Sequence, residues 1–162
     1  MHIVITRPKE DSSDLIEKLI KSGHTVTHLP LINIEKIDTK KINLQNYEAV
    51  VFTSSNAVKF MNIEKFDSKI KCFCVGRSTE LTARQAGFIN TFSSEGTVDS
   101  LIELIIRSLN NKSGKLLYLS SEFISKDLDG DLTKAGYSVD RVSNYTSLPI
   151  EQIEEITLNF LK

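Results

Sequence analysis

The sequence predicts an α/β protein built on a parallel sheet with helices on both faces, of the flavodoxin or Rossmann kind. Three observations predict it. Short apolar runs alternate with helix-period stripes along most of the chain. The central runs, such as Val50-Val51-Phe52, are apolar on both faces, as strands covered from two sides must be. Nearly every run ends in a polar loop that opens the next helix.

Element by element, "HIVIT" (2–6) is a strand, and Leu15, Ile16, Leu19 and Ile20 give a helix with one apolar stripe, ended by Gly23 as a left-handed cap. "HTVTHLPLINI" (24–34) is the next strand, interrupted by Pro30, so the first unit is βαβ. Residues 39–46 are polar and connect to three further units. The first of these has a strand at 48–53 and a helix near 56–62. The second has a strand at 70–75 and a helix from 79 to 86, closed by Gly87. The third has a short strand at 89–92 and a helix at 97–109, on which Leu101, Leu104, Ile105 and Leu109 share a face. "GKLLYLS" (114–120) then leads to a helix at 122–135, Gly136 as its cap, and a return strand at 137–145. "TSLP" (146–149) breaks the pattern. Beyond it a last amphipathic helix carries Ile153, Ile156 and Phe160 on one face, with Glu151, Glu154 and Glu155 near the positive end of its dipole. The absence of a partner strand after that stripe is the expectation that the chain stops before its architecture closes.

Composition limits the function classes. A chain of 162 residues holds one ordinary domain or two small ones, and 40% apolar with 25% charged residues is the balance of a soluble globular protein. With 20 basic against 21 acidic residues the net charge is −1, which excludes the broad positive field of a nucleic-acid binder. Neither a secretory signal nor a membrane-length apolar run occurs. Cys72 and Cys74 fall on one face of a strand and have no second ligand pair at zinc spacing; they read as buried thiols in a reducing, cytoplasmic protein. The sequons at Asn111 and Asn144 are then chance matches. His24 and His28 share a strand face but make no metal set, and "DLDGD" (127–131) lacks the glycine and glutamate positions of a calcium loop. No G-x-S-x-G elbow marks Ser54 or Ser55 as a nucleophile.

The chemistry lies in the loops. Thr6-Arg7-Pro8, Thr53-Ser54-Ser55-Asn56, Gly76-Arg77-Ser78-Thr79, Ser93-Ser94-Glu95-Gly96-Thr97 and Ser120-Ser121-Glu122 all follow strands, and a parallel sheet collects such loops along its carboxyl edge. Helix N-terminal amides and adjacent hydroxyls form a ready anion site there. Each loop taken alone is better read as a helix cap, worth about 1 kcal/mol. A cap needs one such residue, however, and these loops supply up to four. Neither phosphate-binding glycine motif is present, so carboxylates spread over a large flexible ligand suit the edge better than a phosphate.

These segments also carry a family likeness. Thr6-Arg7-Pro8, "VVFTSSNAV" (50–58), "VGRSTELTARQAG" (75–87), "DSLIELI" (99–105), "LLYLSSE" (116–122) and "NYTSLP" (144–149) resemble uroporphyrinogen-III synthases in type and order across residues 1–149. The resemblance implies two α/β domains joined by a two-stranded connector. One is an inserted domain at 37–145. The other is an incomplete split domain made of 1–34 and 148–162, and the connector strands lie near 31–37 and 142–149. It also implies a lyase of tetrapyrrole (haem) biosynthesis that closes hydroxymethylbilane into a macrocycle with inversion of the last ring and loss of water, with no metal or organic cofactor. A shortened, non-catalytic relative that binds a polycarboxylate or tetrapyrrole is the alternative. The resemblance assigns Tyr145 as the helper acid, and Arg7, Thr53, Ser54, Ser55, Asn56, Gly76, Arg77, Ser78, Thr79 and Ser120 as substrate-binding residues. Arg77 and Glu80 replace smaller residues of the family pattern, and Ser120-Ser121 stand where an Arg-Gly pair is common. The incomplete domain carries the further expectation of self-association.

Overall fold

The computed structural model describes residues 1–110 and 112–150; the predicted last helix falls outside them. Contacts divide the chain into two compact units, Lys36–Thr146 and Met1–Glu35 with the residues from Ser147 on.

The larger unit is organised by its sheet. Strands β5 (Ala49–Phe52), β7 (Lys71–Cys74), β8 (Thr91–Ser93), β9 (Lys115–Ser121) and β10 (Ser138–Pro149) lie in the order β10-β9-β5-β7-β8, all parallel. β5 is first in sequence yet central in space: the chain builds outward to β8, then returns to the other side of β5. That is the doubly wound order 3-2-1-4-5, whose reversal point opens a crevice at the carboxyl ends of the two middle strands. Right-handed crossovers then send the helices before and after the reversal to opposite faces. One face carries α4 (Val98–Ser108) and α5 (Leu128–Lys134) over Ala49, Val51, Phe73 and Leu116. The other carries α2 (Ser55–Lys59) and α3 (Gly76–Gln85), where Phe52 meets Phe88 edge to face at 5.8 Å. All four residues of β5 are fully buried, as the two-sided apolar reading of "AVVF" requires. Cys72 and Cys74 are fully buried on β7 with sulfurs 3.8 Å apart.

β3 (Ile32–Lys36) adds to the outer side of β10. Ile150 N–H donates to Leu31 O at 3.0 Å and Ile37 N–H to Asn144 O at 3.0 Å, so the two strands run antiparallel. In the smaller unit β1 (His2–Ile5), α1 (Ser13–Lys21) and β2 (Thr25–His28) form the predicted βαβ, with His2 opposite Thr25 and Ile5 opposite His28.

Several boundaries differ from expectation. The single strand at 24–34 is two, because Pro30 has no N–H to offer a ladder. The helix near 56–62 ends at Lys59, and residues beyond it form β6 (Ile63–Lys65), parallel to β4 (Ile42–Asn43); both are too short to show a period. The helix predicted at 79–86 starts three residues earlier, on Gly76, whose φ of +72° a glycine adopts without strain. The predicted helix at 122–135 begins only at Leu128. Glu122 N–H donates to Tyr145 O at 2.9 Å and prolongs strand pairing, and the Asp127 carboxylate caps the helix from outside by accepting from Gly130 N–H at 3.0 Å. "DLDGD" is therefore a cap and a first turn with Leu128 buried.

Candidate functional site

Because β5, β7, β8 and β9 are parallel, the loops at 53–56, 76–79, 93–97 and 121–127 all open on one edge of the larger unit. Capping explains part of their polarity. Ser54 Oγ accepts from Asn56 N–H at 3.2 Å and caps α2; Thr97 and Ser100 form a capping box on α4. It does not explain the rest. α3 follows Val75 with no side-chain cap, leaving first-turn amides at Arg77 and Ser78 without an intrahelical partner. Ser78 and Arg77 are exposed beside them, Thr79 is buried, and Ser55 and Asn56 open α2.

At the reversal point between β5 and β9 lies a cavity of about 180 Å³. Hydroxyls from three strands line it: Thr53 after β5, Tyr118 and Ser121 on β9, and Tyr145 on β10. Tyr118 and Thr53 are within hydrogen-bond distance of each other at 3.2 Å. Burial pushes the Tyr118 phenol above its ordinary value against the opposing pull of that hydrogen bond. Ser121 is only 8% exposed and its hydroxyl has no hydrogen-bond partner among the described residues. The Tyr145 hydroxyl likewise has none among the described residues. Lys126, ion-paired to Asp99, supplies a positive charge at the wall, and Phe123 an exposed aromatic face.

A bulge in β10 sets the Tyr145 side chain opposite Ser121. Register runs Ser143 to Ser120 and then Tyr145 to Ser121, leaving Asn144 as the extra residue. Asn144 is fully buried, and its Nδ2 donates to Ala57 O at 2.7 Å, anchoring the bulge to α2. Arg141, also on β10, holds the end of β9: Nε donates to Ser120 Oγ at 2.9 Å, and Nη2 to the carbonyls of Ser121 and Glu122 at 2.9 and 3.0 Å.

The structure thus gathers Thr53 and Tyr145 in one cavity, with Ser54, Ser55, Asn56, Gly76, Arg77, Ser78 and Thr79 along the same edge. Ser120 differs from the loop position expected. It is the sixth residue of β9, fully buried, with its hydroxyl donating to Ser121 O at 2.9 Å and accepting from Arg141, so it does not line the cavity. Arg7 belongs to the smaller unit, exposed after β1, where its carbonyl accepts from Ser12 Oγ at 3.3 Å and lies 2.9 Å from His28 Nε2. Glu80 is spoken for: it accepts from Arg84 at 2.8 Å, Thr91 at 3.0 Å and Ser93 at 2.9 Å, and the Arg84 hydrogen bond above all holds its carboxyl below the usual range. Tyr118 and Lys126 escaped sequence reasoning as site residues, and Ser121 lay in one of the hydroxyl-bearing loops without an assigned role. A tyrosine inside "LLYLS" reads as core, and Lys126 fell inside the helix predicted at 122–135.

A second concavity, about 390 Å³, sits by α4 with Glu95, Glu103 and Arg107 on its wall. Two carboxylates against one guanidinium make it a poor seat for an anionic ligand.

Sheet order and pocket define a doubly wound α/β protein with a donor-lined cavity at its reversal point. Comparison with known proteins narrows this: a family model described as "Uroporphyrinogen-III synthase HemD" matches residues 13–161, and the chain belongs to that family. A curated relative, "Porphyrin biosynthesis protein HemD" of Ruminiclostridium josui, is 26% identical over 159 residues, covering 90% of this chain. The chain spans 32% of that relative's length. Among solved structures, uroporphyrinogen-III synthetase from Helicobacter pylori aligns with TM-score 0.61 at 21% identity, over 85% of this chain and 62% of that one. A mutant uroporphyrinogen III synthase from Thermus thermophilus aligns with TM-score 0.57 at 16% identity, over 93% and 64%. At these identities the two structures support the fold, and the family match supports the lineage.

Proposed function

We propose that the chain carries the substrate-binding edge of a uroporphyrinogen-III synthase, a cyclising lyase that closes hydroxymethylbilane with inversion of ring D and loss of water in tetrapyrrole biosynthesis. The observation that carries the reading is the Tyr145 hydroxyl, unpartnered and facing Ser121 across a bulge, in a cavity at the reversal point of the sheet. Family membership supplies the substrate class.

In this reading the departing hydroxymethyl oxygen takes a proton from the Tyr145 phenol as its C–O bond breaks, and leaves as water. The carbon left electron-poor is attacked by the substituted carbon of ring D; the bond from that carbon to its original bridge carbon then breaks, the freed bridge carbon bonds to the unsubstituted α-carbon of ring D, and the proton lost from that α-carbon as the ring rearomatises restores the phenol. The remaining requirement is positional, holding a flexible linear chain so that its ends meet. Amides at Gly76 and Ser78, hydroxyls of Thr53, Ser54, Ser55, Ser78 and Thr79, the Asn56 amide and the guanidinium groups of Arg7 and Arg77 serve that end by holding carboxylates. Ser120 serves through Arg141, by fixing the end of β9. The reading invokes no metal or organic cofactor.

Two buried thiols fit the reducing, cytoplasmic setting that the reading includes, and no helix of the described residues is long and apolar enough to cross a membrane. Self-association remains part of it, on the strength of exposed Val4, Leu15 and Ile20 in the smaller unit, and sedimentation of the purified chain checks it. The deciding experiment supplies hydroxymethylbilane to the chain and separates isomer III from the isomer I that forms spontaneously. Excess isomer III supports the synthase; saturable porphyrin binding with isomer I alone indicates the non-catalytic relative instead.

A further inference from the structure

The reversal-point cavity is too small for a whole tetrapyrrole: at about 180 Å³ it falls below the ~300 Å³ at which pockets for complete small ligands begin. It suits one arm of such a ligand. Its polar groups indicate which kind. Ser121 is more than nine-tenths buried and its hydroxyl has no partner among the described residues, an arrangement that costs stability unless something else fills the cavity and accepts from it. Tyr145 presents a second hydroxyl, and Lys126 an ammonium group. Hydroxyl donors around a single cation match a carboxylate.

The cation already has a carboxylate. Lys126 pairs with Asp99 at the start of α4, and the side chains are 36% and 70% exposed. A pair that open to solvent is weakly held and can be exchanged. Resting on the synthase reading above, we infer that the cavity is a subsite for one carboxylate arm of the substrate, in which the arm replaces Asp99 on Lys126 and accepts a hydrogen bond from Ser121. Asp99 is then an internal competitor. It keeps the lysine charge neutralised when the subsite is empty, and it weakens binding of every anionic arm by the same exchange.

Competition gives the test its sign. The probes are uroporphyrin I, an octacarboxylate, and its uncharged octamethyl ester, titrated against the full chain by porphyrin fluorescence. Uroporphyrin should bind saturably and the ester at least tenfold more weakly. Lys126→Gln should weaken uroporphyrin binding about tenfold, Ser121→Ala about threefold, and Asp99→Asn should tighten it severalfold, an improvement that mere structural damage would not produce. Saturable uroporphyrin binding that is unchanged by both Lys126→Gln and Asp99→Asn, or equal binding of the ester, overturns the subsite and leaves the synthase reading standing. If the unaltered chain fails to bind uroporphyrin at all, the synthase reading itself fails.

Discussion

Tyr145 and Glu80 show how differently two polar side chains on one edge are employed. Tyr145 is 7% exposed, with its ring packed and its hydroxyl unengaged. Tyr145→Phe should therefore fold like the parent and lower isomer III formation about 100-fold, the usual size of a lost general acid. A rate within twofold of the parent would reduce Tyr145 to packing. Glu80, 13% exposed at its side chain, is a structural carboxylate. Its lowered folded-state pKa means that its contribution to stability is present above the unfolded value, near 4.3, and disappears as pH falls through the folded one. With Arg84 half exposed, solvent trims the pair, so Glu80→Gln should cost about 1 kcal/mol at pH 6 and less at pH 3. Urea titrations at the two pH values measure the difference. The sequence disclosed the hydroxyl-rich loops because four small polar residues in a row exceed what a cap needs. It could not disclose Tyr118, since one tyrosine in an apolar strand satisfies the core pattern whether or not its hydroxyl faces a cavity.

At the level of elements the bulge in β10 matters most. Without Asn144 as the extra residue, alternation along the strand would give Tyr145 a different orientation relative to Ser121. Asn144→Ala removes the buried hydrogen bond to Ala57 O and leaves that carbonyl without its 2.7 Å donor. The expected loss is about 1–3 kcal/mol of stability, and with it a drop in porphyrin affinity as the strand end loosens; thermal melts and titration of the same variant check both. Period and composition made β5, β7, α4 and the first βαβ legible. The failures have local causes. The segment at 122–127 has helix-compatible residues, but Glu122 is claimed by pairing with Tyr145, and Asp127 is worth more as a cap than inside a helix. A two-residue strand such as β4 offers no period to detect.

For the molecule as a whole, burial is uneven. Apolar burial in the larger unit runs through β5, β7, β9, α4 and α5, whereas among the described residues of the smaller unit only Ile5, Pro8 and Leu29 are buried apolar side chains and α1 has no buried residue. Amide exchange should accordingly be at least about tenfold faster in β1, β2 and α1 than in β5, β7 and β9, as expected where few apolar contacts resist opening. Uniform protection across both units would contradict this. The parallel sheet was legible at this scale because strand–loop–helix alternation admits few other architectures. The strand order was not, since nothing local records that β9 returns to the side of β5 opposite β7. The sulfur pair on β7 then acquires a practical meaning. Cys72 is held protonated chiefly by its hydrogen bond to Cys74 and by burial, so neither thiol reacts while the sheet is closed. An alkylating reagent would mark only those molecules whose innermost layer has parted, and the chain thereby keeps a chemical clock of its own breathing.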